Sequence, residues 1–168
     1  MKVILLCAIS LDGKIAKGPF APVDWTSPED KKFFRQETKK ARVVICGHNT
    51  FKAMKKSLPG RLLIVLASSS KEKSIPGILE FTNQSPKRIL ADLAKRGFQK
   101  VIIGGGGKIN ALFLKNKLLD EIWLSLNPKI FGKGISLFND EDFDLAVSLT
   151  SLKKINRNTL LLKYKVNY

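Results

Sequence analysis

Asp30 is the acid whose neighbours say most. A helix opening at Ser27 and Pro28 places Asp30 on the face of Phe33 and Phe34, with Lys31, Lys32, Arg35, Gln36 and Lys39 on the other side. A carboxylate on the apolar side of such a helix loses water, so its pKa rises towards the range useful for proton transfer near neutrality. The same position, three residues after a serine N-cap, also suits an acid that completes a capping box and favours the helix dipole. Spacing leaves both roles open. Glu37, two turns later, is the competing acid and is expected to be a partly exposed ion-pair partner.

Two further features suit anions. The run Gly104, Gly105, Gly106, Gly107 falls between a strand and a helix. Backbone N–H groups there can approach a phosphate at the helix start, although a tight turn has the same composition. Arg61 follows Leu58, Pro59 and Gly60 and precedes a strand. Held by that turn, it can clamp a carboxylate or phosphate with two hydrogen bonds, or it can simply be solvated. No metal site is expected, because His48 is the single histidine and neither Cys7 nor Cys46 has a partner at ligand spacing. Both thiols read as buried and free, with a disulfide between neighbouring strands the alternative.

The elements that must position these groups alternate. Apolar runs predict strands at 3–9, 43–46, 62–66, 78–81, 101–103 and 121–126. Ser27-Pro28 and Ser85-Pro86 open helices ending near Lys40 and Gly97. Shorter helices are predicted after Gly47 and over 108–115, and an antiparallel hairpin over 143–155 and 160–166 turns at 156–158. This pattern implies one α/β domain over 1–168, with a mainly parallel sheet, helices on both faces and an antiparallel C-terminal end. The apolar runs are too short to span a membrane, and the first does not lead to a cleavage site, so a cytoplasmic protein is expected. The net charge of +16 attracts anions, but the lysines are dispersed and no zinc-finger or aromatic RNA-binding signature accompanies them. A nucleic-acid-binding module is the alternative from another class. A homodimer is compatible with the sequence, which does not specify one.

The order of these residues carries a family resemblance. Trp25, Ser27, Pro28 and Asp30, then Phe33, Phe34 and Thr38, then the stretch from Val43 through Gly47, Thr50 and Phe51 to Met54, then Leu58 to Arg61, together resemble the dihydrofolate reductase pattern. Ile103 with its glycines, ahead of the strand bearing Ser125, fits as well. The resemblance implies a dihydrofolate reductase-like fold and NADPH-dependent hydride transfer to a small anionic heterocycle. It implies that Asp30 binds the pterin ring and supports its protonation, with Ser125 backing that acid. Ala8, Phe34, Met54 and Leu58 would surround the substrate, and Arg61 would hold its glutamate carboxylate. Ala16, Gly47, His48, Thr50, Ile103, Gly104, Gly105, Gly106 and Gly107 would hold the cofactor, with Ser68 and Ser69 near its 2′-phosphate. The sequence departs from that pattern at His48, where an arginine is usual, which bears on NADPH against NADH. It departs again at Lys31, where a leucine is usual, and in a glycine run one residue longer. The stretches 10–16, 107–110, 119–122 and 128–132 resemble instead the riboflavin-pathway pyrimidine reductases of the same superfamily, without their Asp-Asp-Pro stretch. Dihydrofolate is the favoured substrate and the aminouracil ribosyl phosphate the alternative.

Overall fold

Runs of consecutive apolar residues, rather than alternating ones, form the central strands, because helices cover the sheet on both sides. The computed structural model describes residues 1–54, 58–68 and 72–168. In chain order the elements are β1 (Lys2–Ile9), β2 (Lys14–Ala16), α1 (Pro28–Ala41), β3 (Val43–Gly47), α2 (His48–Met54), β4 (Leu62–Leu66) and β5 (Leu79–Thr82). They continue as α3 (Pro86–Lys95), β6 (Lys100–Ile103), α4 (Gly107–Lys115), β7 (Glu121–Leu126), β8 (Ile135–Ser136), β9 (Val147–Lys154) and β10 (Leu160–Val166). Eight strands make one sheet in the order β5-β4-β3-β6-β1-β7-β10-β9. It is parallel from β5 to β7 and antiparallel from β7 through β10 to β9.

Strand alternation divides the core. Ile4 and Leu6 of β1, Val44 and Cys46 of β3, Leu63 and Val65 of β4, and Trp123 of β7 face α1 and α2, which contribute Phe33, Phe34, Phe51 and Met54. Leu5 and Cys7, Ile45, Ile64 and Ile103 face the other way, against Leu93 of α3 and Phe113 of α4. The helix starts follow their sequence signals. Ser27 Oγ accepts the Asp30 N–H at 3.1 Å, and proline occupies the first turn of both α1 and α3.

One expected boundary needs correction. The strand predicted from 143 begins only at Val147. Asn139 and Asp140 take left-handed φ of 56° and 54°, and Phe143 turns its ring onto Phe138, centroids 5.7 Å apart, so the approach to β9 is a packed loop. The pair β2–β8, antiparallel and separate from the main sheet, was not predicted because two- and three-residue strands carry no periodicity. Disulfide pairing is excluded: β6 separates β1 from β3, and Cys7 and Cys46 point to opposite faces.

Burial pushes both thiols up to about 12. Thiolate is the reactive form. Neither cysteine should therefore react with a disulfide reagent in the native protein at neutral pH, and both should react within one unfolding transition. Counting released chromophore against denaturant checks this.

Candidate functional site

The parallel strands β1, β3, β4, β6 and β7 end on one side of the sheet, where Ala8, Ser125 and the glycine run gather, as in other open α/β sheets, whereas Leu58 and Arg61 stand at the start of β4, the opposite end. Ala8 and Ser125 are register partners across β1 and β7. Asp30, in the first turn of α1, lies over this pair and is only 5% exposed. Its Oδ1 accepts a hydrogen bond from Ser125 Oγ, 95 residues away in sequence. The buried Thr26 side chain, just ahead of the helix, stands close enough to Asp30 to favour its charged form, a role that sequence reasoning had not given it. The signal was its place four residues ahead of Asp30, where the chain enters the helix.

The backbone of Asp30 serves the cap, through its N–H to Ser27, while its carboxylate turns away to Ser125. Both sequence readings therefore hold, for different atoms. Burying a carboxylate costs several kcal/mol, and a hydroxyl donor returns only about 1.5–3 kcal/mol. Burial therefore weighs against the charged form. It accordingly raises the pKa of Asp30 above its ordinary 3.8, against the hydrogen bond from Ser125, the Thr26 side chain and the nearby Lys31 ammonium. Glu37 belongs elsewhere. It is buried rather than partly exposed, and Lys40 Nζ meets its Oε1 at 2.6 Å.

Phe34, Met54 and Leu58 pack on the α1 side of the sheet, the side from which Asp30 reaches Ser125. Arg61 is buried, not solvated. Its Nη1–H donates to Thr38 Oγ1 at 2.7 Å and its Nε–H to the Pro59 carbonyl at 3.2 Å, and Thr38 in turn donates to the Phe34 carbonyl at 2.7 Å. Burial and the neighbouring Arg35 lower its pKa from the ordinary value. Among the described residues no carboxylate forms an ion pair with it. A guanidinium held this way suits an anion from outside. The Trp25 Nε1–H is likewise buried without an acceptor among the described residues.

The glycine run forms the second half. Gly104 N–H donates to the Ile45 carbonyl at 2.8 Å and Gly47 N–H to the Gly105 carbonyl at 3.0 Å, which stitches the end of β3 to the turn. Gly105 has φ +97° and the Gly105–Gly106 peptide is cis. A Cβ on Gly106 would stand 3.1 Å from Thr50 Oγ1, and one on Gly47 2.9 Å from Ile109. No side chain caps α4 at Gly106, so its first-turn N–H groups face this cradle. Ala16 lies on β2, Ser68 just beyond β4, and Ser69 outside the described residues. His48 Nε2 sits 3.1 Å from Glu72 Oε1, a contact that spacing gave no reason to expect. Asn110, also missed, is fully buried and donates from Nδ2 to the Leu137 carbonyl at 2.8 Å, tying α4 to the loop after β8.

The dihydrofolate reductase family model matches residues 2–127. The chain belongs to that family. Another family member, the dihydrofolate reductase type A13 of Escherichia coli, is 30% identical over 153 residues, covering 89% of this chain and 87% of that protein. The fold is shared with the dihydrofolate reductase of Enterococcus faecalis solved with NADP(H), at TM-score 0.72 and 23% identity over 99% of this chain and 97% of that one. It is shared equally with a diaminohydroxyphosphoribosylaminopyrimidine deaminase/5-amino-6-(5-phosphoribosylamino)uracil reductase of Thermotoga maritima, at TM-score 0.78 and 20% identity. The chain is covered to 99% in that match but spans only 56% of the Thermotoga protein.

The raised pKa of Asp30 has a consequence for stability. A carboxyl whose folded pKa lies above its unfolded value contributes stability that is full below the unfolded pKa and lost as pH rises through the folded one. Asp30→Asn cannot ionise and keeps an acceptor for Ser125. It should melt above the wild type at neutral pH and lose that advantage below about pH 3.8. Thermal scans of both proteins across pH check this.

Proposed function

We propose that this chain is an NADPH-dependent reductase that reduces dihydrofolate. The buried, hydroxyl-supported acid Asp30 carries the reading, because a proton donor or acceptor taken out of water has little structural use. NADPH, when bound, supplies the hydride. The residues present fit it: a Cβ on Gly104, Gly106 or Gly107 would meet Val44, Thr50 or Ser136, so only glycine allows this close-packed turn at the helix start, and uncapped N–H groups of α4 suit a pyrophosphate. Across the sheet ends, Asp30 would hold the heterocycle through its ring N–H groups and keep a proton available at the reacting end. Ser125 fixes the carboxylate, and Phe34, Met54 and Leu58 would line the apolar part of the substrate. Arg61, preset by Thr38 and Pro59, would take the carboxylate at the far end of the substrate. The buried arginine without an internal acid is what favours a substrate with such a tail.

The riboflavin-pathway reaction is the second reading, favoured by buried Asn110, in a stretch that resembles those reductases and bonded to the Leu137 carbonyl, and by Lys31 beside Asp30. Following NADPH oxidation side by side with dihydrofolate and with the aminouracil ribosyl phosphate separates the two. Turnover of dihydrofolate is expected, and turnover of the uracil alone overturns the first reading. Asp30→Asn should lose on the order of 10²- to 10⁴-fold in rate, the usual worth of general acid–base assistance.

Arg61→Ala should raise KM for dihydrofolate far more than for a pterin lacking the glutamate. Equal effects on the two would remove Arg61 from this role. The measurement is a pair of steady-state titrations on each variant.

A further inference from the structure

Asp12 has no place in the assignments above, yet its carboxylate joins two loops beside the site. Oδ1 accepts from Ser10 Oγ at 2.6 Å and from the Phe131 N–H at 3.1 Å, and Oδ2 accepts from the Gly132 N–H at 2.7 Å. Ser10, fully buried, closes the turn on the other side by accepting the Lys14 N–H at 2.9 Å. The Phe131 ring, fixed from its own N–H, meets Trp25 edge to face with centroids 5.0 Å apart. Trp25 leads through Thr26 to Ser27, whose Oγ accepts the Asp30 N–H at 3.1 Å. These contacts make one continuous path from an exposed carboxylate to the buried acid.

We propose that Asp12 is a positioning residue for the reaction: by pinning the 131–132 backbone it seats Phe131 against Trp25, and this keeps the Trp25–Thr26 entry closed over Asp30. The inference rests on the proton role given to Asp30 under the proposed function. Hydrogen bonds to an exposed carboxylate are screened individually, so the geometry matters more than any one bond. Three donors from two loops fix Asp12 at both oxygens, as one donor would not. The donors also hold its pKa at about 2, so the pin stays charged throughout the working range. Other ties between the loops exist, notably the Leu11 N–H to the Lys129 carbonyl at 2.7 Å and the β2–β8 pair. Besides Asp12 and Trp25, the Lys17 ammonium reaches Phe131, over the face of its ring 5.4 Å from the centroid, and it leaves the 131–132 backbone free.

The test reads Asp30 directly and needs no substrate or cofactor. Carboxyl NMR of ligand-free protein labelled at aspartate, with Asp30 identified from its loss in Asp30→Asn, gives the titration midpoint of Asp30. Asp12→Ala should admit water and move that midpoint down by about half a pH unit or more, towards the ordinary value. Asp12→Asn removes the same charge but keeps an acceptor, so its shift should be clearly smaller. Phe131→Ala leaves every charge in place and should lower the midpoint too. An unmoved midpoint in Asp12→Ala overturns the proposal, as do equal shifts in the alanine and asparagine variants. If Asp12→Ala fails to fold, Phe131→Ala decides alone by the same midpoint. A proton role lost by Asp30 would show separately, as full turnover in Asp30→Asn.

Discussion

One carboxylate is taken out of water between a helix and a strand end, and much of the architecture is arranged around it. Asp30 reaches Ser125 only because β1 and β7 pair with Ala8 beside Ser125, which leaves a small side chain where α1 comes down on the sheet. A larger residue at Ala8 would lift the helix start. Ser27 holds the backbone of that first turn and frees the acid to point inward. A buried acid without a cation is tolerable when it can be neutral, and that is also the condition for handling a proton. Stability and chemistry therefore pull on the same group in opposite directions.

The sheet separates two tasks. On the α1 side lie the acid, the apolar side chains and the buried arginine. On the α4 side the glycine turn carries N–H groups and no side chains. The two meet only at the strand ends, where the bonds between Gly47, Gly105, Gly104 and Ile45 join β3 to the turn. A cofactor on one side and a substrate on the other would come together across that seam.

Much of this was legible in the sequence. The spacing from Asp30 to Phe33 and Phe34 marked the helix face, the Ser-Pro pairs marked the helix starts, and strand composition marked a doubly covered sheet. Other features were not, and the reasons are physical. The Asp30–Ser125 bond spans 95 residues and the Arg61–Thr38 bond 23, and no local pattern encodes such pairs. Only the family resemblance brought Ser125 forward, and Thr26 and Asn110 lay inside stretches that carry a resemblance without being given a role. The pair β2–β8 escaped because its strands are too short to show a period. The start of β9 was misplaced because Phe143 and Leu145 have strand-like composition but pack on the core from a loop.

Thr38, which orients Arg61, lies on the same helix as Asp30, eight residues further along. At 1.5 Å per residue that is about 12 Å along the axis of α1. The helix thus acts as a ruler, with the acid at one mark and the guanidinium's tether at the other. Under the proposed function, a ligand would engage both marks only if its ring and its negative end were separated to match. Molecules with the right groups at a shorter span would reach one end alone, so length itself would become a criterion of selection. Inserting a residue between Phe34 and Thr38 would change the gauge and rotate the second mark off the face.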